Sequence, residues 1–171
     1  MENIETKKET KEYFRLCDGA STFFNKTKDN PESANMTTEL EMYWLCLLMG
    51  IITLRKDSSI PERPPKGTEK NTDWTGLTRQ YQEEIRAFVM YGYLNNLGFQ
   101  DVNAENADTI EKAIDDFLQS SGSKLTSRGV KEADKIAHKG WNHIAENKIN
   151  RTNDLGTFLI KYVDELQKLS E

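Results

Sequence analysis

The sequence predicts an all-α fold, a single-domain bundle of about five to six helices with a long Pro-rich loop. Three observations carry this reading. Five segments place apolar residues at i, i+3, i+4 and i+7, the spacing of one helix face. Two of them open on a Thr or Asp followed three residues later by Glu, the pattern of a capping box. No segment alternates apolar and polar residues over the length of a convincing strand, and no stretch repeats. The chain has 171 residues, enough for one domain that buries roughly 70% of its unfolded surface. Such a domain needs neither disulfide nor metal to fold.

Residues 1–35 read as a loosely attached N-terminal arm, and 36–171 as the helical domain. The arm's ETKKETKEYFRLC suits an exposed helix, Gly19 and Pro31 interrupt it, and Phe23 and Phe24 offer an anchor onto the body. The next element contains MYWLCLLMGIITL, residues 42–54, thirteen positions without a charge. A spanning helix needs about 20 apolar residues, and Glu39, Glu41, Arg55, Lys56 and Asp57 bound this one on both sides, so no membrane contact is expected. Thr38 with Glu41 supplies a start. A helix over 38–55 that is apolar nearly all round is buried on most sides, either at the centre of a bundle or in a subunit interface.

RKDSSIPERPPKGTEKNTDW, residues 55–74, follows. Pro61, Pro64 and Pro65 lock φ and remove backbone donors, which excludes helix and central strand. Residues 56–73 are expected to be mobile in the isolated protein, with Trp74 anchored where the next helix begins. The alternative is a docking segment pre-ordered as polyproline II, which makes Pro61, Pro64, Pro65, Trp74 and the aromatic Trp141 candidate partner contacts. A helix over 77–96 carries Leu77, Tyr81, Ile85, Phe88, Val89 and Leu94, with Gly98 as its stop. Asp108 with Glu111 opens another, whose face is Ile110, Ala113, Ile114, Phe117 and Leu118. A further helix sets Val130, Ala133, Ala137, Trp141 and Ile144 on one side. Its Gly140 lets a neighbouring helix approach closely or else costs about 1 kcal/mol for no return. The last helix, about 153–169, has the stripe Leu155, Phe158, Leu159, Tyr162, Val163, Leu166 and Leu169.

Signatures of catalysis are missing. His138 and His143 are five apart, which on a helix turns them about 140° from one another and prevents a shared metal. Cys46 lies in the apolar helix, where burial makes a thiol inert, and Cys17 has no assignable partner. There is no Gly-rich phosphate loop, Gly-x-Ser-x-Gly or Cys-x-x-Cys. The expectation is a protein that is not an enzyme and uses no cofactor. The opening residues MENIETKKETKEYF lack the apolar core of a signal peptide, which points to the cytoplasm.

Charge is the more informative feature. The chain has a net charge of −5, against non-specific binding to phosphate backbones. Within it, residues 101–119 carry six acids and one lysine, whereas 124–148 carry six Lys or Arg against three acids. Lys124, Arg128, Lys131, Lys135 and Lys139 lie on the segment that holds Trp141. They are candidate nucleic-acid contacts, since a basic helix beside an aromatic can track a backbone. Glu132, Asp134 and Glu146 interrupt the basic run. Packing of the basic helix on the acidic one, or electrostatic steering of a protein partner, accounts for the same pattern.

ELEMYWLCLLMGIITLRKDSSIPERPPKG, an apolar helix holding Gly50 and then a basic, proline-containing loop, resembles the small Dnd-system-associated proteins. These are encoded with bacterial phosphorothioate-dependent DNA-defence genes. The resemblance spans residues 39 to about 97 and carries over no functional residue. It implies a small accessory subunit of a prokaryotic anti-phage defence or DNA-processing assembly. Together these readings predict a non-catalytic helical accessory or scaffold subunit whose partners are other protein subunits. The alternative is a nucleic-acid-binding subunit that uses 124–148.

Overall fold

A computed structural model describes residues 14–28, 39–65, 68–70, 87, 90–92, 94, 103, 105–117, 125–152 and 154–171. The protein is an all-α domain. Its described helices are α1 (Asp18–Lys28), α2 (Glu39–Thr53), α3 (Ala107–Phe117), α4 (Ser127–Glu146) and α5 (Leu155–Ser170). Residues 87, 90–92 and 94, inside the helix expected over 77–96, are also helical. Two elements differ from expectation: α1 runs through Gly19, where a break was expected, and residues 14–16 of the expected exposed helix instead form β1 (Phe14–Leu16) of a short antiparallel ribbon with β2 (Thr68–Lys70), in which Phe14 faces Lys70 and Leu16 faces Thr68. Three-residue strands are too short to leave an alternating pattern in a sequence.

The apolar run is the central helix. In α2, Met42, Tyr43, Cys46, Leu47, Met49 and Ile51 are buried, while Trp44, Leu45, Leu48 and Ile52 are half-buried. The helix ends by tightening, with Arg55 donating to the Ile52 carbonyl and Lys56 to that of Thr53. Among the described residues no helix is long and apolar enough to cross a membrane. Thr38, the expected cap, lies outside the described residues.

Helix α4 packs across α2 with the two backbones in direct contact. A Cβ on Gly140 would fall onto the Cys46 carbonyl oxygen and the Gly50 amide nitrogen, and a Cβ on Gly50 would fall onto the Ile136 carbonyl oxygen. Gly140 is therefore there for close approach. Thr126 caps α4 by accepting a hydrogen bond from the Gly129 amide at 3.1 Å. At the other end Ile149 donates to the Ile144 carbonyl and Lys148 to that of Ala145. With Lys148 at φ 59°, this is a Schellman motif with lysine where glycine is usual. The second candidate capping box is displaced: α3 begins at Ala107, so Asp108 lies inside its first turn.

The arm needs the largest correction. Phe14, Leu16, Ala20 and Phe24 are buried, and the Phe24 ring is wholly inaccessible. Phe23 and Phe24 pack against Trp141 (ring centroids 5.9 and 6.2 Å) and Phe158 (5.2 and 5.5 Å). Phe14, Leu16, Ala20 and Phe24 thus belong to the core and are not loosely attached. The anchor expected at Phe23 and Phe24 is where the sequence placed it. Residues 1–13 and 29–35 lie outside the described residues.

Two outcomes follow from the helix geometry. Gly140→Ala is expected to lower the unfolding free energy by about 2–3 kcal/mol or more, since backbone on both sides of the crossing blocks relaxation. The urea midpoint reports it, and a loss below about 0.5 kcal/mol would show that the crossing yields freely. Lys148→Gly is expected to raise stability by up to about 1 kcal/mol by removing a left-handed side-chain penalty. Thermal unfolding of the two proteins side by side checks the sign.

Candidate functional site

Several polar groups of the described residues converge on α4. Asp134 is wholly buried at its first turns. One carboxylate oxygen accepts from the Arg15 amide at 2.9 Å and from the Tyr43 hydroxyl at 3.0 Å. The other accepts from Arg63 Nε at 2.7 Å. Strand β1, helix α2 and the Pro-rich loop thus all converge on one acid. Burial pushes the Asp134 carboxyl up to about 6, against the opposing pull of the Arg15 amide, Arg63 and Tyr43. Burial, and then Asp134 itself, hold the Tyr43 phenol well above its ordinary value, so Tyr43 stays a donor.

The loop then runs back along α4. His138 Nδ1 lies 3.1 Å from the Glu62 carbonyl. The buried Lys139 amine donates to Asp57 Oδ2 at 2.7 Å and also to the Ser59 carbonyl. Lys139, with Ser59, holds the exposed Asp57 carboxyl well below the usual carboxylate range. These contacts fasten 57–63 to the helix. Three prolines leave the loop few conformations, and Arg63 and Asp57 supply charges that α4 answers. Residues 66–67 and 71–73 lie outside the described residues.

Between loop, α2 and α4 lies a cleft of about 450 Å³ bordered by Lys56, Asp57, Ser59, Lys139, Asn142 and His143. At its edge His143 Nε2 is 2.9 Å from Glu165 Oε1 on α5 and 3.1 Å from Asn147 Nδ2. Ser59 Oγ is 3.3 Å from the Lys139 amine and 2.8 Å from Asp57 Oδ2. A Ser–Lys pair makes a nucleophile only when the amine is free to take a proton. Here the Lys139 side chain is ion-paired to Asp57 and bonded to the Ser59 carbonyl, and the trio forms a clasp between the loop and α4. Burial raises the Cys46 thiol strongly and the Cys17 thiol as well. Among the described residues no group of three or more His, Cys, Asp or Glu side chains is placed to hold a metal ion.

Among the described residues, most of the candidate nucleic-acid contacts are engaged with acids of the same chain. Arg128 pairs with Asp116 on α3 at 2.6 Å, Lys135 with Glu132 at 2.8 Å, and Lys139 is buried in the clasp. Lys131 is exposed, and Lys124 lies outside the described residues. The Arg128–Asp116 pair joins α4 to α3, in line with the expected packing of the basic helix beside the acidic one. Of the candidate partner contacts, Pro61 is half-buried in the cleft wall, Pro64 is buried and Pro65 exposed. Trp141 is only 7% exposed and belongs to the aromatic core, so it presents no face to a partner. Trp74 lies outside the described residues.

Two features escaped the sequence reading. Asp134 was counted only as an interruption of a basic run, since its partners lie 71 to 119 residues away. The second feature is the outer face of α5. Ile160 is 66% exposed, Val163 48% and Leu159 37%. Leu159 and Val163 were expected in the core stripe, yet they stand on its outer shoulder, where α5 runs out of neighbours to pack on.

The raised Asp134 carboxyl makes stability pH-dependent. Because its folded value exceeds the unfolded one of 3.8, its favourable contribution is complete below pH 3.8 and is lost as pH rises through about 6. Removing Arg63 takes away a stabiliser of the carboxylate and carries that loss to higher pH. Arg63→Met is therefore expected to cost about 3 kcal/mol at pH 8 and clearly less at pH 5, where Asp134 is already neutral. Urea titrations at the two pH values measure this, and an equal cost at both would reject the buried carboxylate as the group responsible.

No protein-family model, curated protein or solved structure matches this chain.

Proposed function

We propose that the chain is a non-catalytic helical subunit that binds other protein chains within a larger cytoplasmic assembly. The observation that supports this is the outer face of α5, where Leu159, Ile160 and Val163 stand together at 37–66% exposure. A single exposed apolar residue is ordinary, but adjacent ones on one helix face mark an interaction surface. The face is also pre-ordered. Asp154 caps α5 through the Thr157 amide at 2.8 Å, Phe158 is wholly buried, and Tyr162 donates to the Leu45 carbonyl at 2.7 Å. A partner would meet a surface already in place, which lowers the ordering cost of binding.

The resemblance of residues 39–97 to Dnd-system-associated proteins supplies a setting, a bacterial DNA-defence complex with this chain as an accessory subunit. Such a subunit would meet nucleic acid through its partners, since most of the described basic side chains of 124–148 are engaged within the chain. The test is an Ile160→Asp, Val163→Asp double variant of the tagged full chain, purified from its native host beside the wild type. The expected result is an unchanged circular dichroism spectrum and loss of the proteins that co-purify with the wild type. Recovery of the same partners at the same yield would reject the face as the binding surface.

A further inference from the structure

We infer that the outer face of α5 is a homodimer seam, on which a second copy of this chain packs its own α5 antiparallel to the first. This rests on reading that face as a protein-binding surface and names the partner. Gly156, Ile160, Val163 and Gln167 are all exposed and follow one another at spacings of four, three and four. That is the a/d spacing of a helix–helix seam, with its two apolar positions, Ile160 and Val163, at the centre. The space over Gly156 is open, with only the Asp154 carboxylate near a Cβ built there, so a neighbouring helix can lie close at that end.

The charges beside the seam choose the arrangement. Lys161 and Asp164 are both exposed on the same edge. In an antiparallel pair like edges meet, and a two-fold axis between Ile160 and Val163 sets Ile160 against Val163 of the second copy. The same operation brings Lys161 beside Asp164 of the second copy, and Asp164 beside its Lys161. A parallel pair would lay this edge against the Leu159 edge and leave both charges unanswered. An isologous contact of this kind closes on itself and stops at a dimer. The ends are less well matched, because Glu171 approaches Asp154 of the second copy, but at the rim that repulsion is screened. A seam about 24 Å long lies at the small end of specific interfaces, so the dimer is expected to dissociate with Kd of about 10–100 μM.

Sedimentation equilibrium of the full chain from about 5 to 500 μM tests this. The wild type should move from monomer to dimer mass across that range, and Ile160→Asp should stay monomeric with an unchanged circular dichroism spectrum. Lys161→Glu alone should weaken dimerisation roughly tenfold, because each dimer contains two such pairs. Lys161→Glu with Asp164→Lys should restore it to within about threefold. Monomer mass at every concentration would overturn the proposal, as would a charge swap that fails to restore the dimer. If the wild type is monomeric while the double Asp variant still loses host partners, the protein-binding reading survives and the self-pairing falls. A dimer that the charge swap restores supports the self-pairing whatever the host pull-down returns.

Discussion

Where α2 and α4 cross, Gly50 and Gly140 bring backbone onto backbone, with the Cys46 and Ile136 carbonyls in the space side chains would need. Helices usually pack 8–10 Å apart with side chains as the adjustable material between them. Here that material is missing, so the relative position of the two helices is set by atoms that cannot adopt another rotamer. Everything else takes its place from this contact. The crossing brings Tyr43 to 3.0 Å from Asp134. It turns Trp141 into the pocket that Phe23 and Phe24 fill, and it leaves the other flank of α2 for Tyr162 to reach the Leu45 carbonyl.

A buried acid is costly to hold, and Asp134 is held by donors from three separate parts of the chain. A carboxylate that loses its partners in such a place loses several kcal/mol, so a misplaced ribbon or loop is penalised by far more than the contact itself returns. The acid therefore acts as a check on assembly: β1, α2 and the Pro-rich loop are all in position or none is comfortably so. Its raised carboxyl reflects burial that the Arg15 amide, Arg63 and Tyr43 do not fully offset. The clasp of Lys139, Asp57 and Ser59 lies at the next turn of α4. It fastens the same loop with groups nearer solvent, where screening makes each bond weaker.

Features that depend on neighbours along the chain were legible in the sequence. The stripe of α4, those of α3 and α5 apart from the exposed Ile114, Leu159 and Val163, the buried character of α2, and the anchoring role of Phe23 and Phe24 all follow from spacing and composition. Gly140 was legible as a choice between two explanations, and only the position of Cys46 decides it. What could not be read depends on distant parts of the chain. Nothing local to Phe14–Leu16 announces a strand, because its partner is at 68–70. The Pro-rich loop looked free because its own residues offer few apolar contacts. Its stability comes instead from charges on a helix some 70 residues away. Likewise the net positive charge of 124–148 looked like a surface property and resolves largely into intramolecular pairs.

The outer face of α5 was on the page in a form that periodicity alone obscures. A helix that packs on one side needs an apolar arc somewhat over 100° wide. In α5 the arc from Phe158 round to Ile160 covers about 200°, and reading it as one core stripe merges two surfaces. Phe158, Tyr162 and Leu155 belong to the inner one and are buried; Ile160 and Val163 belong to the outer one and are not. The width of the arc, more than its periodicity, marks apolar residues beyond those that α5 buries in its own fold. The charges flanking the outer half then carry the remaining information. Ion pairs elsewhere on the described surface, such as Arg128–Asp116 and Lys135–Glu132, are completed within the chain, whereas Lys161 and Asp164 flank an apolar seam that a single copy leaves open.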